Sequence, residues 1–384
     1  MWFTGGLRQP LTGINDKKAK LTISRMANDL VSVTLITYNS GRFIRRCLES
    51  VLAQDYPNLE IVVIDNASND GTEDILDQFE DRCEIVYNEE NIGFAAAQNQ
   101  AIGLSSGDWV LTLNPDVLLE QDFVSALMAA APTDKRIGTV CGKLLTLKSN
   151  FEIPDEQRVD STGIFFNPML RHLDRGSQEV DNGHYLKPEY VFGATAAAAL
   201  YRRKMIQDVA IDGEFFDNDF FVYREDADVA WRAQLLGWKC LYTPHARGYH
   251  VRSVLPGNRR ALPAEINMHS VKNRFLMRIK NITPGLYWRN VLSITFRDAI
   301  VLTACLFHEH SSLKAFPFLI RNFSRFLSKR RQIMARRRVT DEYMQAWFSY
   351  QPVAFPAPKL GAKVGTRVLA RYRGASSTAG NRLR

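Results

Sequence analysis

From residue 31 onward the chain alternates between two hydrophobic periods. Residues 31–37 are β-rich. Residues 43–52 set Phe43, Ile44, Cys47, Leu48, Val51 and Leu52 at helical spacing, and 61–64 are wholly apolar, as a strand buried on both faces must be. Further strand patterns occupy 84–87, 109–113 and 137–145, separated by helical patterns at 72–79, 94–103 and 122–131. That alternation predicts an α/β fold, a doubly wound, mostly parallel sheet with helices on both faces and ligands beyond the carboxyl ends of its strands. Residues 147–189 lose the repeat and, punctuated by Pro, Asp and Gly, suit an irregular insertion over the sheet's edge. A small-residue strand at 192–200, a helix starting near Glu225 and a short strand at 240–242 restore order. Residues 262–345 read as helices, with amphipathic pieces around 287–307 and 316–338. The expected organisation is a disordered leader or over-extended start (1–29), an α/β domain (30–261, its halves meeting near 145), a helical region (262–350) and a disordered basic tail (351–384).

The 384 residues are 46% hydrophobic and 23% charged, which excludes disorder as the main state. Net charge is +8, but residues 321–384 hold 15 Lys and Arg against only Asp341 and Glu342, so the body is mildly acidic and the basicity sits at one end. A uniformly basic chain would suggest nucleic acid; a basic appendage suggests an anionic membrane surface instead. Five scattered cysteines without C-x-x-C argue against a disulfide framework or zinc knuckle and for a reducing compartment. No uncharged apolar run of about 18 residues is present, which argues against a simple membrane span.

The candidate chemistry lies just after the strands. The first strand runs into Thr37-Tyr38-Asn39 and the second into Asp65-Asn66-Ala67-Ser68. Two readings stand for Asp65 and Asn66. Either they only make a turn, with Ser68 or Asp70 capping the next helix, or Asp65 accepts the N3 hydrogen of uracil or thymine, which adenine does not offer. No G-x-G-x-x-G follows the first strand and no G-x-x-x-x-G-K-[ST] occurs, which disfavours a dehydrogenase or an ATPase. A bound diphosphate would then be neutralised by a divalent cation on carboxylate. Asn114-Pro115-Asp116 supplies a carboxylate for that purpose, or a cap. Glu225-Asp226-Ala227-Asp228 opens a helix, where the dipole keeps acids ionised. A carboxylate so placed can take a proton from an attacking hydroxyl, although capping alone explains one or two of the three acids. His250 is a cation ligand through neutral imidazole or a structural donor.

Read in order, several segments resemble the family 2 glycosyltransferases of the GT-A fold, and within them the bacterial rhamnosyltransferase-like branch. They are Ser32-Val33-Thr34-Leu35-Ile36-Thr37-Tyr38-Asn39, Cys47-Leu48-Glu49-Ser50-Val51, Val63-Ile64-Asp65-Asn66-Ala67-Ser68, Asn91-Ile92-Gly93-Phe94-Ala95 with Asn99, Asn114-Pro115-Asp116, Glu225-Asp226-Ala227-Asp228 with Arg232, and His250. The resemblance implies that Thr37, Tyr38, Asn39 and Asp65 line a nucleoside pocket, with Asn91, Gly93 and Asn99 nearby. It makes Asp116 the last acid of the family's D-x-D metal motif, holding Mg2+ or Mn2+, with His250 a further metal contact. Asp226 becomes the catalytic base, and Glu225 and Asp228 support it by orienting the acceptor or Arg232. Asn114 departs from the motif and removes one charge.

The activity so implied is inverting transfer of a sugar from a nucleoside diphosphate donor, dTDP-L-rhamnose first and UDP-sugars next, to a hydroxyl of a glycan or lipid-linked acceptor in cell-surface polysaccharide synthesis. The expected location is cytoplasmic, peripheral on the inner membrane. Processive synthases carry Gln-x-x-Arg-Trp and several membrane helices, neither read in this sequence, and a nucleotidyltransferase would need a Gly-rich basic loop where Asn39-Ser40-Gly41-Arg42 stands. The alternative of another class is a non-catalytic nucleotide-sugar or glycan-binding protein.

Overall fold

Seven consecutive buried residues make β1 (Val31–Thr37) the middle of the sheet, since a strand covered on both faces has no polar side to turn to water. The structure, a computed structural model, describes residues 29–252 and 263–357; residues 1–28 of the expected leader and 358–384 of the expected tail lie outside them. After β1 come α1 (Ile44–Leu52), β2 (Leu59–Asp65), α2 (Thr72–Leu76), β3 (Glu84–Tyr87), α3 (Phe94–Leu104), β4 (Trp109–Leu113), β5 (Val117–Leu119), α4 (Phe123–Ala130) and β6 (Ile137–Thr146). Short strands β7 (Val159–Ser161), β8 (Ile164–Phe166), β9 (His172–Asp174) and β10 (Glu189–Val191) lead to β11 (Ala198–Arg202), α5 (Arg203–Val209), α6 (Glu225–Leu235) and β12 (Lys239–His250). Of the strand read at 192–200 only residues 198–200 are strand, in β11; β10 ends at Val191, and the stretch between them lines the site below.

The sheet runs β13-β10-β12-β6-β11-β4-β1-β2-β3, with β5 and β7 on its margins. Pairs β4-β1-β2-β3 and β6-β12 are parallel, and β11 is antiparallel to both β4 and β6. The expected mostly parallel sheet with helices is present. Its parallel register sets Thr37 against Asp65, so two predicted site residues end adjacent strands at one level.

β12 is far longer than the short strand expected, because its register with β6 shifts between Tyr242 and Arg247. Pro244 lies in that shift, where a residue without an N–H breaks the ladder at least cost. Beyond the shift the strand also pairs with β5, which sets His250 opposite Val117.

Helices α7 (Ala264–Asn281), α8 (Pro284–Phe307), α9 (Ala315–Arg321), α10 (Phe323–Ala335) and α11 (Asp341–Ala346) follow, and β13 (Phe355–Pro356) pairs with β10. Residues 351–357 are therefore not the start of a disordered tail but join the sheet's edge. The stripe at 316–338, open to two readings as a membrane face or as a surface packed on the α/β domain, is broken at Asn322 and mostly packed inward: Leu319, Phe326 and Ile333 are buried in the main core. The absence of an uncharged apolar run stands, since α8 holds Arg289, Arg297 and Asp298. The helix is nonetheless long and apolar enough to cross a membrane by length and composition, with a mean hydropathy of 1.5 over its best window, because the three charges it carries do not outweigh its apolar residues. None of the five cysteines is in a disulfide.

Candidate active site

The loop after β1 and the loop after β2 are tied to each other. Thr37 Oγ1 donates to Asp65 Oδ1 at 2.6 Å, and the Ser68 N–H and hydroxyl donate to the two Asp65 oxygens at 2.9 and 2.6 Å. The Asn39 N–H donates to Ser68 Oγ, while Asn39 Oδ1 accepts from the Asn69 N–H. Asn39 holds φ 51°, a left-handed conformation that asparagine tolerates better than most. Asp65 is wholly buried, so the turn-forming reading describes its geometry, and Tyr38 and Asn39 are the predicted residues of this group that stand exposed.

Asn66 carries the next layer, donating to Asn91 Oδ1 and accepting from Asn88. Asn91 in turn accepts the Gly93 N–H at 2.9 Å. Gly93 takes φ 86° against the Phe221 ring, where a Cβ would sit 2.5 Å from a ring carbon, so only glycine fits. Asn99 departs from the nucleoside-pocket expectation. Its amide donates to Phe216 O and Asn218 Oδ1, and its oxygen accepts from the N–H groups of Phe215 and Phe216, which commits every side-chain valence to the 215–218 loop.

Asp116 follows β4 and meets His250 at the end of β12, with 3.4 Å between Asp116 Oδ1 and His250 Nε2. The Val251 N–H donates to Asp116 O and fixes the two segments side by side. His250 Nδ1 lies 2.8 Å from Asp160 Oδ2, Arg252 pairs with Asp160 at 2.8 Å, and Arg252 also reaches Asp174 at 2.8 Å. Burial works to neutralise His250, but Asp160 and then Asp116 outweigh it and push the imidazole up to about 10.

Asp116 and His250 are the two groups here that a divalent cation could use, and His250 would have to give up the proton that Asp160 and Asp116 favour. Asp116 Oδ1 and His250 Nε2 converge, and the remaining imidazole nitrogen is oriented by a carboxylate, as metal-bound histidines commonly are. No cluster of three or more His, Cys, Asp or Glu groups suited to a metal occurs among the described residues, so the remaining positions would fall to ligand oxygens and water.

Asp226 opens α6 and is partly open to solvent. Its Oδ1 accepts the Ala227 N–H at 2.7 Å and its Oδ2 the Ala196 N–H at 3.4 Å. Ala196 O accepts from Thr112 of β4, and Ala197 O from the Asn114 N–H, so the 192–197 stretch links the Asp226 carboxylate to the Asn114-Pro115-Asp116 loop. Burial, and then Asp174, raise Asp226 to about 6. Glu225 is buried with one oxygen lacking a hydrogen-bond partner, and desolvation together with Asp226 hold it well above the carboxylate range.

Asp228 and Arg232 face away from solvent and are almost wholly buried. They pair at 2.8 Å, and Arg232 donates to Val209 O and Phe215 O while Asp228 accepts from Lys280 and Asn281. Of the two expected tasks, Asp228 has the geometry for holding Arg232 and not for reaching an acceptor.

Four site-building residues went unread in the sequence. Asp160 and Asp174 sit in the aperiodic 147–189 stretch and give no signal. Arg252 follows His250 by two along an extended chain, which is a weak pointer to a shared face. Asn273 gives none, because its role needs α7 folded back: its amide donates at 2.8 Å to the carbonyls of Phe220, Val222 and Tyr223, just before α6.

Residues 32–210, which span β1 to the end of α5, match the family model described as Glycosyl transferase family 2. This segment is similar to family 2 glycosyl transferase domains. Asp226 and His250 lie beyond the matched residues. Glycosyltransferase GlyA of Streptococcus pneumoniae serotype 4 (strain ATCC BAA-334 / TIGR4) is 34% identical over 104 residues, which are 27% of this chain and 15% of GlyA. Poly-beta-1,6-N-acetyl-D-glucosamine synthase of Staphylococcus aureus (strain COL) is 23% identical over 247 residues, 64% of this chain and 54% of the synthase. The chain thus spans about half or less of the length of these curated relatives. Among solved structures, mannosyltransferase PcManGT from Pyrobaculum calidifontis, in complex with GDP-Man and Mn2+, aligns with 84% of this chain and 94% of its own, at 18% identity and a TM-score of 0.46.

Proposed function

We propose that the chain is an inverting glycosyltransferase that moves a sugar from a nucleoside diphosphate donor to a hydroxyl of a glycan or lipid-linked acceptor. The supporting observation is the set of groups at one sheet edge: a rigid polar loop pair around Asp65, the Asp116–His250 pair, and a partly open Asp226 stitched to the Asp116 loop through Ala196 and Ala197. Tyr38, Asn39 and the Thr37–Asp65 frame line the nucleoside side, and Asn91 and Gly93 shape its floor. Asp116 and His250 would hold Mg2+ or Mn2+, which supplies Lewis-acid stabilisation of the departing diphosphate.

Asp226 takes the acceptor proton as the hydroxyl oxygen bonds to the anomeric carbon and the bond to the diphosphate breaks, so no covalent enzyme intermediate is required. Glu225, buried beside it and held well above the carboxylate range, disfavours a second negative charge next to that carboxylate. Asp228 and Arg232 fix the helix that carries both.

The donor we favour is dTDP-L-rhamnose, which rests on the rhamnosyltransferase-like motifs, and the setting is cell-surface polysaccharide synthesis, in line with the synthase named above. We place the 30–261 unit as the catalytic domain, at the cytoplasmic face of the inner membrane. Screening a panel of nucleotide sugars for hydrolysis and transfer, with and without Mg2+ or Mn2+, tests this: metal-stimulated turnover of one donor is expected, and binding without turnover of any donor would make the chain a binding protein.

A further inference from the structure

We propose that the exposed face of α8 is the surface by which this protein docks on an anionic lipid leaflet, lying in the plane of the interface instead of crossing it. Trp288, Leu292, Phe296, Ile300, Leu306 and Phe307 are all exposed, Leu292 at 83% and Trp288 at 71%. At 3.6 residues per turn they fall on one side of the helix, and the buried Leu286, Asn290, Ile294 and Cys305 fall on the other. An apolar face running along 24 residues, about 36 Å, is larger than scattered surface leucines explain.

The opposite face is held to the protein by polar bonds that a membrane-spanning helix would have to break. Asn290 donates to Gln345 Oε1 at 2.8 Å, Ser293 meets the Tyr350 hydroxyl at 3.0 Å, and Asp298 pairs with Arg278 at 2.5 Å and with Arg274. One side packed on the protein and one side apolar is the arrangement of an interfacial helix, whose apolar side chains enter the headgroup and acyl boundary. Trp288 near one end suits the headgroup level.

Charge selects the occupant. Asp298, the acid of α8, points into the protein on Arg274 and Arg278, and the turn that packs after α8 ends in exposed Lys314. Residues 358–384 add seven Lys and Arg with no acid. A second copy of this chain carries the same net charge of +8, whereas anionic headgroups neutralise cations at roughly 1 kcal/mol per engaged residue.

This rests on the peripheral-membrane reading above but not on sugar transfer, and it is read without donor or acceptor, so either idea can fail alone. The full chain should co-sediment with vesicles of phosphatidylglycerol and phosphatidylcholine, more weakly with phosphatidylcholine alone, and be partly released by salt. The double substitution Leu292→Asp and Phe296→Asp should weaken binding about tenfold or more, with an unchanged unfolding transition because both side chains are exposed. Brominated acyl chains should quench tryptophan fluorescence in the parent protein, and the quenched fraction should vanish in Trp288→Phe. Failure of the full chain to bind anionic vesicles overturns the proposal. So does a self-association, seen in sedimentation velocity, that the double substitution abolishes, since the face would then belong to a second copy.

Discussion

Asp226 is poised near neutrality because two influences oppose: burial and the Asp174 charge raise it to about 6, while the Ala227 and Ala196 N–H groups favour its anion. A base works only when deprotonated. Transfer, as kcat/KM, is therefore expected to rise about tenfold per pH unit below about 6 and to level above it, measured as a pH–rate profile with donor subsaturating. Asp226→Asn should cost about 100-fold or more in kcat with donor affinity retained, and the residual rate should lose the acidic limb. Asp116→Ala leaves His250 alone facing the diphosphate; titrating donor with and without Mn2+ should show the metal-dependent gain in affinity lost. Identical metal dependence in parent and variant would remove Asp116 from the cation site.

The turn that delivers α6 is the most unusual backbone in the site. Phe221, Tyr223 and Arg224 hold φ of 65°, 69° and 72°, conformations that cost bulky residues about 1–3 kcal/mol each unless surroundings impose them. Asn273 does the imposing through its three carbonyl contacts, and the Phe221 ring stacks on His269 of the same helix with centroids 4.8 Å apart. Asn273→Ala should let the turn relax, lowering kcat about tenfold or more while donor KM stays within about twofold, together with a lower unfolding midpoint. Loss of stability with kcat intact would show that Asn273 only supports the fold.

The charge asymmetry between body and end is met, in part, inside the molecule. Lys329 of α10 is buried on Asp217 and Asp219, Arg325 also pairs with Asp219, and Arg338 pairs with Asp208, so cations of the C-terminal helices neutralise acids of the α/β body. Asp217 is shared with buried Lys280, which also bonds Asp228 of α6. Lys329→Met removes one partner and leaves the buried Asp217 carboxylate short of charge, and it should destabilise the protein by about 3 kcal/mol in urea unfolding, with little rescue by salt. Truncation after His310 should yield insoluble or unfolded protein, because Phe326, Ile333, Met344, Trp347 and Phe348 belong to the main core. A soluble, folded truncated chain would show that these helices are an appendage after all.

Local pattern was enough for β1 through β4, for β6 and for α6, since each has a period or an apolar run that its own residues dictate. Asp65 and Asp116 could be put at one edge from the sequence because a parallel sheet brings its strand ends together, whereas Asp226 was picked out by the acid-rich start of a helix. Asp160, Asp174 and Asn273 were not, for their work depends on which distant segment folds against which, and no spacing along the chain encodes that. His250 shows the division within one residue: its type pointed to a cation, but only the register shift around Pro244 carries it 3.4 Å from Asp116. The same holds for the helices. Residues 287–307 and 316–338 both read as amphipathic, and composition favoured the arginine-rich one for a membrane. Packing decided otherwise, because the acidic groups Asp208, Asp217 and Asp219 draw the cations of 325–338 inward and leave the apolar face of α8 outside.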